Sequence, residues 1–176
     1  MGTQLVADRP GAARCILGID PGLNITGYAV IHRDGGNLRL SEAGIVRSRA
    51  KDTLPERLKE LSDGIREVIA AHPIELVALE QLFSHYERPR TAILMGHARG
   101  VICLAAAEAG LPMAHYEPTR VKKVMTGNGH ASKSQMQLAV KLQLSLATSP
   151  EPADVADAMA IALTGHYLAG NPLANA

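Results

Sequence analysis

The sequence has no tryptophan and one phenylalanine, and aromatics make up only 3% of its 176 residues. Aliphatic packing must therefore carry the core, and the placement of the single Phe, Phe83, becomes a question of its own. Cysteine is equally scarce. Cys15 and Cys103 fall in the apolar runs C-I-L-G-I and V-I-C-L-A-A-A. Both read as buried thiols, which suits a reducing cytosol and a cytoplasmic protein. No Cys/His spacing of the zinc-binding kind occurs, and no apolar run is long enough to cross a bilayer. Residues 1–13 contain Asp, Arg, Pro and Gly and lack the apolar core of a signal peptide. They read as a disordered tail, with residues 171–176 as a short C-terminal tail.

No excess of one charge is present either, since the net charge is +1. The distribution is uneven, however. Residues 1–84 hold 10 basic and 11 acidic side chains, residues 85–141 hold 8 and 3, and residues 142–176 hold none and 3. The basic middle suits a polyanion, while the acidic end points to a different task. With 47% apolar and 20% charged residues, the composition is that of a soluble globular chain. The length fits one domain, expected over residues 14–170.

The short apolar run Cys15–Ile19 predicts a buried strand that ends on Asp20, with Pro21-Gly22 turning the chain. Thr26–Ile31 predicts a second strand, Asp34-Gly35-Gly36-Asn37 a turn, and Leu38–Arg47 a third strand. Leu54, Leu58, Leu61, Ile65, Val68 and Ile69 recur at helical spacing, predicting a helix over 54–71. Glu75–Glu80 reads as a buried strand that again ends in an acid. Residues 81–89 read as a loop. Helices are expected over Thr91–Ala109, Thr119–Met125, Ser134–Leu146 and Ala153–Leu168, with a short strand at Met113–Tyr116. This order predicts an α/β fold: a mixed five-stranded sheet, three antiparallel strands first, with helices on its faces.

Four carboxylates then share a setting. Asp20 and Glu80 end strands, and Asp154 and Asp157 stand at i and i+3 on the first turns of the last helix, on one face. A lone turn aspartate bonds its own backbone, a lone Asp154 suits a helix start, and a lone Glu80 suits an edge ion pair. Four acids without an adjacent Lys or Arg repel one another unless cations intervene. Oxygen-only donors of this kind suit Mg²⁺ or Mn²⁺. Two such ions about 4 Å apart support phosphodiester cleavage.

Phe83 lies three residues beyond Glu80, on a loop with His85 and Tyr86, where an exposed aromatic suits base stacking. Arg88, Arg90, Arg99, Arg120, Lys122, Lys123 and Lys133 supply the positive charge of the middle region. Singly each reads as a solvated surface group; as a group they favour phosphate contact.

In order along the chain stand L-G-I-D-P-G-L-N-I-T-G-Y-A-V (17–30), A-L-E-Q-L-F (78–83), G-H-A-R-G-V (96–101) and Y-E-P-T-R-V-K-K (116–123). G-N-G-H-A-S-K-S-Q (127–135) and A-D-V-A-D-A-M-A-I-A (153–162) complete the series. The chain resembles the RuvC-type Holliday-junction resolvases, nucleases of the RNase H-like fold, over nearly its whole length. The resemblance implies Asp20, Glu80, Asp154 and Asp157 as metal-binding catalytic acids and Phe83 as a residue stacking at the junction centre. It sets Lys122 and Lys133 against the scissile backbone. It further implies a homodimer that nicks two opposed strands of four-way junction DNA to leave 5′-phosphate ends, working with the RuvA–RuvB branch-migration complex.

Two rival readings start from the same residues. Actin-like phosphotransferases also open with a strand, an Asp and a Gly/Thr hairpin, but they need two large lobes. An idle RNase H-like binding module would have no reason to keep four acids.

Overall fold

The computed structural model describes residues 14–81 and 89–169 of the chain. The two tails, Phe83 and Arg88 lie outside the described residues. Strands β1 (Cys15–Asp20), β2 (Ile25–Asp34) and β3 (Asn37–Arg47) are followed by α1 (Leu54–Ala71), β4 (Leu76–Glu80) and α2 (Pro89–Glu108). Then come β5 (Met113–Tyr116), α3 (Pro118–Thr126), α4 (Lys133–Gln143) and α5 (Ala153–Leu168). The sheet order is β3-β2-β1-β4-β5. The first three strands pair antiparallel, and β4 and β5 add parallel to β1. The expected mixed sheet is therefore present.

Strand β2 runs beyond the predicted Thr26–Ile31 because β3 pairs with it as far as Asp34 and Asn37. Gly35 and Gly36 close this hairpin, both at positive φ, which only glycine adopts without strain. Two apolar layers cover the sheet. On one side, Leu17, Ile19, Val30, Val77 and Leu79 pack against Leu61, Ile65 and Val68 of α1 and Ala98, Ile102 and Ala105 of α2. On the other, Ile16, Ala29, Ile31 and Ala78 meet α5 and the inner faces of α3 and α4.

Helix α5 is buried at every position from Val155 to His166 except Asp157. It lies almost on the sheet backbone. A Cβ at Gly18 would stand 2.3 Å from the Ala158 carbonyl oxygen, and one at Gly27 would stand 2.0 Å from that of Asp154. Only glycine permits this approach.

Three expectations need correction. Cys103 is only partly buried, so it is not a second core thiol. Helix α2 begins at Pro89 rather than Thr91, since proline is well tolerated in a first turn. Helix α4 stops at Gln143 although its apolar pattern continues to Leu146. There the Leu146 N–H bonds to the Lys141 carbonyl and Ser145 N–H to that of Leu142, at 2.9 and 3.3 Å. Ser145 takes φ 51°. This is a Schellman ending, with serine where glycine is usual.

Candidate functional site

Two of the expected acids close strands and two stand in the opening turns of a helix. Asp20 is the last residue of β1 and pairs with Gly27 of β2. The loop between them is tied by the buried Thr26 hydroxyl, which donates to the Gly22 carbonyl at 2.6 Å and accepts the Gly22 N–H at 3.2 Å. Glu80 closes the neighbouring parallel strand β4, beside β1 and opposite Tyr116 of β5. Asp154 and Asp157 project from the start of α5, which the glycine approach presses onto β1 and β2. Pro152 caps this helix, so Asp154 is not the cap that its position suggested.

The electrostatics record the convergence. Burial pushes Asp20 up to about 8, and the charges of Glu80, Asp157 and Asp154 add to the rise while Lys133 opposes it. Burial also raises Glu80, with a further contribution from Asp157, against Lys122 and Arg99. Burial raises Asp157, where Asp154 adds and Lys133 and Lys122 oppose. The isolated readings of these acids, as turn, cap or edge residues, therefore do not describe them. They form one electrostatic group.

A cleft of about 210 Å³ opens beside them, lined by Glu80 and Asp157, by Lys122 and Lys133, and by an apolar wall including Val121, Met136 and Ile161. Lys122 comes from α3, whose Val121 and Met125 are buried. Lys133 is the first residue of α4 and is held by a capping box: Ser132 N–H donates to Gln135 Oε1 at 2.8 Å, and Gln135 N–H donates to Ser132 Oγ at 3.3 Å. Lys123 points into different surroundings, a second groove shared with Arg120, Thr119 and Leu168. The sequence grouped Lys122 with Lys123; the helix separates them.

All four acid donors are carboxylate oxygens, the class that hard divalent cations take. Among the described residues no three Asp, Glu, His or Cys side chains are already drawn together tightly enough to hold an ion. Carboxylates carried on β1, β4 and α5 repel one another when no cation stands between them. The donor chemistry fits a divalent cation.

Sequence reasoning missed Gly18, Gly27 and Thr26, which set the height of α5 and the shape of the Asp20 loop. Glycine inside a strand pattern was the available signal for the first two. It also grouped Arg99 with the phosphate-contacting residues, whereas its guanidinium bonds to the Glu80 backbone carbonyl and to His115.

The family model described as crossover junction endodeoxyribonuclease RuvC matches residues 16–166. A crossover junction endodeoxyribonuclease RuvC of Rhodopirellula baltica is 73% identical over 173 residues, covering 98% of this chain and 97% of the relative. The RuvC structure of Thermus thermophilus superposes with a TM-score of 0.82 at 35% identity, covering 88% of this chain and 95% of that one. The same protein in complex with a Holliday junction substrate gives a TM-score of 0.81 at 32% identity, covering 88% and 94%. The fold, the ordered motifs and these likenesses agree, and the chain belongs to the RuvC family of crossover junction endodeoxyribonucleases.

Proposed function

We propose that this protein is a structure-specific endodeoxyribonuclease that resolves four-way DNA junctions by paired symmetric nicks, serving recombination and repair. Asp20, Glu80, Asp154 and Asp157 are its catalytic and metal-binding acids. The observation that carries this reading is a cleft lined by Glu80, Asp157, Lys122 and Lys133, with the Asp20 carboxyl next to it raised by the charges of Glu80, Asp157 and Asp154. Two Mg²⁺ or Mn²⁺ ions held there would activate a water and stabilise the leaving oxygen, leaving 5′-phosphate ends.

The chain's own residues do the positioning. Asp20 and Glu80, at the ends of adjacent parallel strands, hold the floor of the site at fixed spacing. Asp157, the one residue of its stretch of α5 that is not buried, faces them. Lys122 and Lys133 attract the scissile phosphate and offset charge that grows as the bond breaks. Lys123 and Arg88 take other backbone phosphates, and Phe83 stacks on bases at the junction centre.

Paired nicks need two sites, and a homodimer supplies them. Ile93 and Leu104 of α2 are 60% and 53% exposed. With Gly96, His97 and Gly100 they line a shallow groove on that helix, where small residues allow a second copy to approach closely. The RuvA–RuvB complex is the partner expected to deliver the junction. The protein acts in the cytoplasm on DNA; among the described residues no helix is long and apolar enough to cross a membrane.

The test is cleavage of an end-labelled synthetic four-way junction beside a linear duplex and an RNA–DNA hybrid, each with Mg²⁺, Mn²⁺ or EDTA. Symmetric, metal-dependent nicks confined to the junction are expected. Cutting of the hybrid instead would refute the substrate, and junction cutting by Asp20→Asn or Glu80→Gln would refute the acids.

A further inference from the structure

Glu80 is the last residue of β4, at the point where the strand ends. On one side the chain is still held, since Gln81 N–H donates to the Tyr116 carbonyl of β5 at 2.8 Å. On the other side α2 supplies Arg99. One guanidinium nitrogen of Arg99 donates to the Glu80 backbone carbonyl. The other donates to His115 Nδ1 at 2.6 Å, which fixes the imidazole as the neutral tautomer with its proton on Nε2, because a guanidinium has no acceptor to offer.

Arg99 itself sits on a rigid support. Its neighbours Ala98 and Ile102 are fully buried against the sheet, so α2 cannot slide relative to β4 without opening the core. An arginine kept for DNA would hold its fork free in solvent. This one is half-buried, with both terminal nitrogens engaged. A planar fork bridging two fixed acceptors is a task that lysine, a single point of charge, does not perform.

The geometry points to Arg99 as a positioning residue for Glu80: it clamps the end of β4 between α2 and His115 and so sets where the Glu80 carboxylate enters the cleft. Arg99 is therefore not one of the phosphate contacts. This rests on the reading of Glu80 as a catalytic acid. Outer residues that orient ligating carboxylates typically change metal affinity or activity by about 10–100-fold, and misplacement by about 1 Å can cost about 100-fold in rate.

The experiment uses the full chain and a synthetic four-way junction, with variants Arg99→Ala, Arg99→Lys, His115→Ala and Glu80→Gln. Single-turnover cleavage is measured in Mg²⁺, junction Kd and its salt dependence in EDTA, and Mn²⁺ affinity by thermal shift. Arg99→Ala is expected to lose about 100-fold in cleavage rate and to need about tenfold more Mn²⁺, with junction Kd within about twofold and its salt slope unchanged. Arg99→Lys should recover only part of that rate. Weaker junction binding with a slope reduced by about one and an unchanged rate would identify a phosphate contact and overturn the proposal. Unchanged rate and binding would overturn it too. If Arg99→Ala fails to fold, His115→Ala, which removes one of the two anchors, should slow cleavage several-fold at constant Kd, and full activity there would refute the clamp. Cleavage by Glu80→Gln would instead sink the assignment of the acid, whatever Arg99 does.

Discussion

Asp20→Asn should make the metal-free protein more stable while ending its activity. The Asp20 carboxyl, ordinarily near 3.8, is pushed up to about 8 by burial and by the neighbouring acids. A group whose pKa is raised on folding contributes its stability below the unfolded value and loses it as pH climbs to the folded one. Here that window runs from 3.8 to about 8. At about 1.36 kcal/mol per unit, the raised pKa costs the native state roughly 5 kcal/mol at pH 7.5, where the unfolded carboxyl is ionised and the folded one is largely protonated. The asparagine amide removes that cost but buries donors of its own, at roughly 1–2 kcal/mol. The net gain is then about 3 kcal/mol, or a Tm increase of roughly 6–12 °C for a chain of this size. Thermal melts in EDTA measure it. At pH 4 the wild-type carboxyl is largely protonated and the advantage should vanish. Millimolar Mg²⁺ should raise the Tm of wild type and leave Asp20→Asn nearly unmoved, since a ligand bound only by the native state stabilises it by mass action. A mutant that melts lower than wild type in EDTA at pH 7.5 would refute the reasoning and make Asp20 a structural residue.

Further outcomes follow from particular contacts. Gly27→Ala would drive its Cβ to 2.0 Å from the Asp154 carbonyl oxygen, with backbone on both sides; α5 must lift, costing about 1–3 kcal/mol or more, so Tm and cleavage should both fall, and an unchanged melt would contradict the close approach. Lys122→Ala should slow cleavage about 100-fold with little effect on junction affinity, because Lys122 lines the acid cleft. Lys123→Ala should do the reverse, weakening binding modestly and lowering its salt slope by about one, and a swapped pattern would refute the division between their grooves. His166 donates from Nε2 to the Ile31 carbonyl at 2.8 Å, and burial holds it down to about 4. Its ring should stay neutral by NMR at pH 5.5, and titration near 6.5 would disprove the buried neutral form. A depressed histidine gives stability above its unfolded value that is lost as pH falls, here between 6.5 and about 4, by roughly 3 kcal/mol. This acid-side loss opposes the gain from protonating Asp20.

Short-range pattern along the chain is enough to specify several parts of this molecule. Runs such as C-I-L-G-I and L-V-A-L are too short and too evenly apolar for anything but buried strands, and an acid after each marks a strand mouth. The Asp34–Asn37 turn, the one-turn offset of Asp154 and Asp157, and the order of elements were legible for the same reason. Tertiary structure decided what depends on where helices lie. Lys122 and Lys123 are adjacent letters, yet a helix turns about 100° per residue, so one reaches the acids and the other does not. Arg99 is 19 positions from Glu80, and only the packing of α2 on the sheet brings its fork to that carbonyl. Gly18 and Gly27 read as weak points in their strands until α5 is seen resting on them. The end of α4 escaped detection because its apolar spacing continues past the point where backbone hydrogen bonds close a Schellman turn. Pattern reports which face a residue takes within its own element; the distance between elements, which decides which charges share a site, is set by packing.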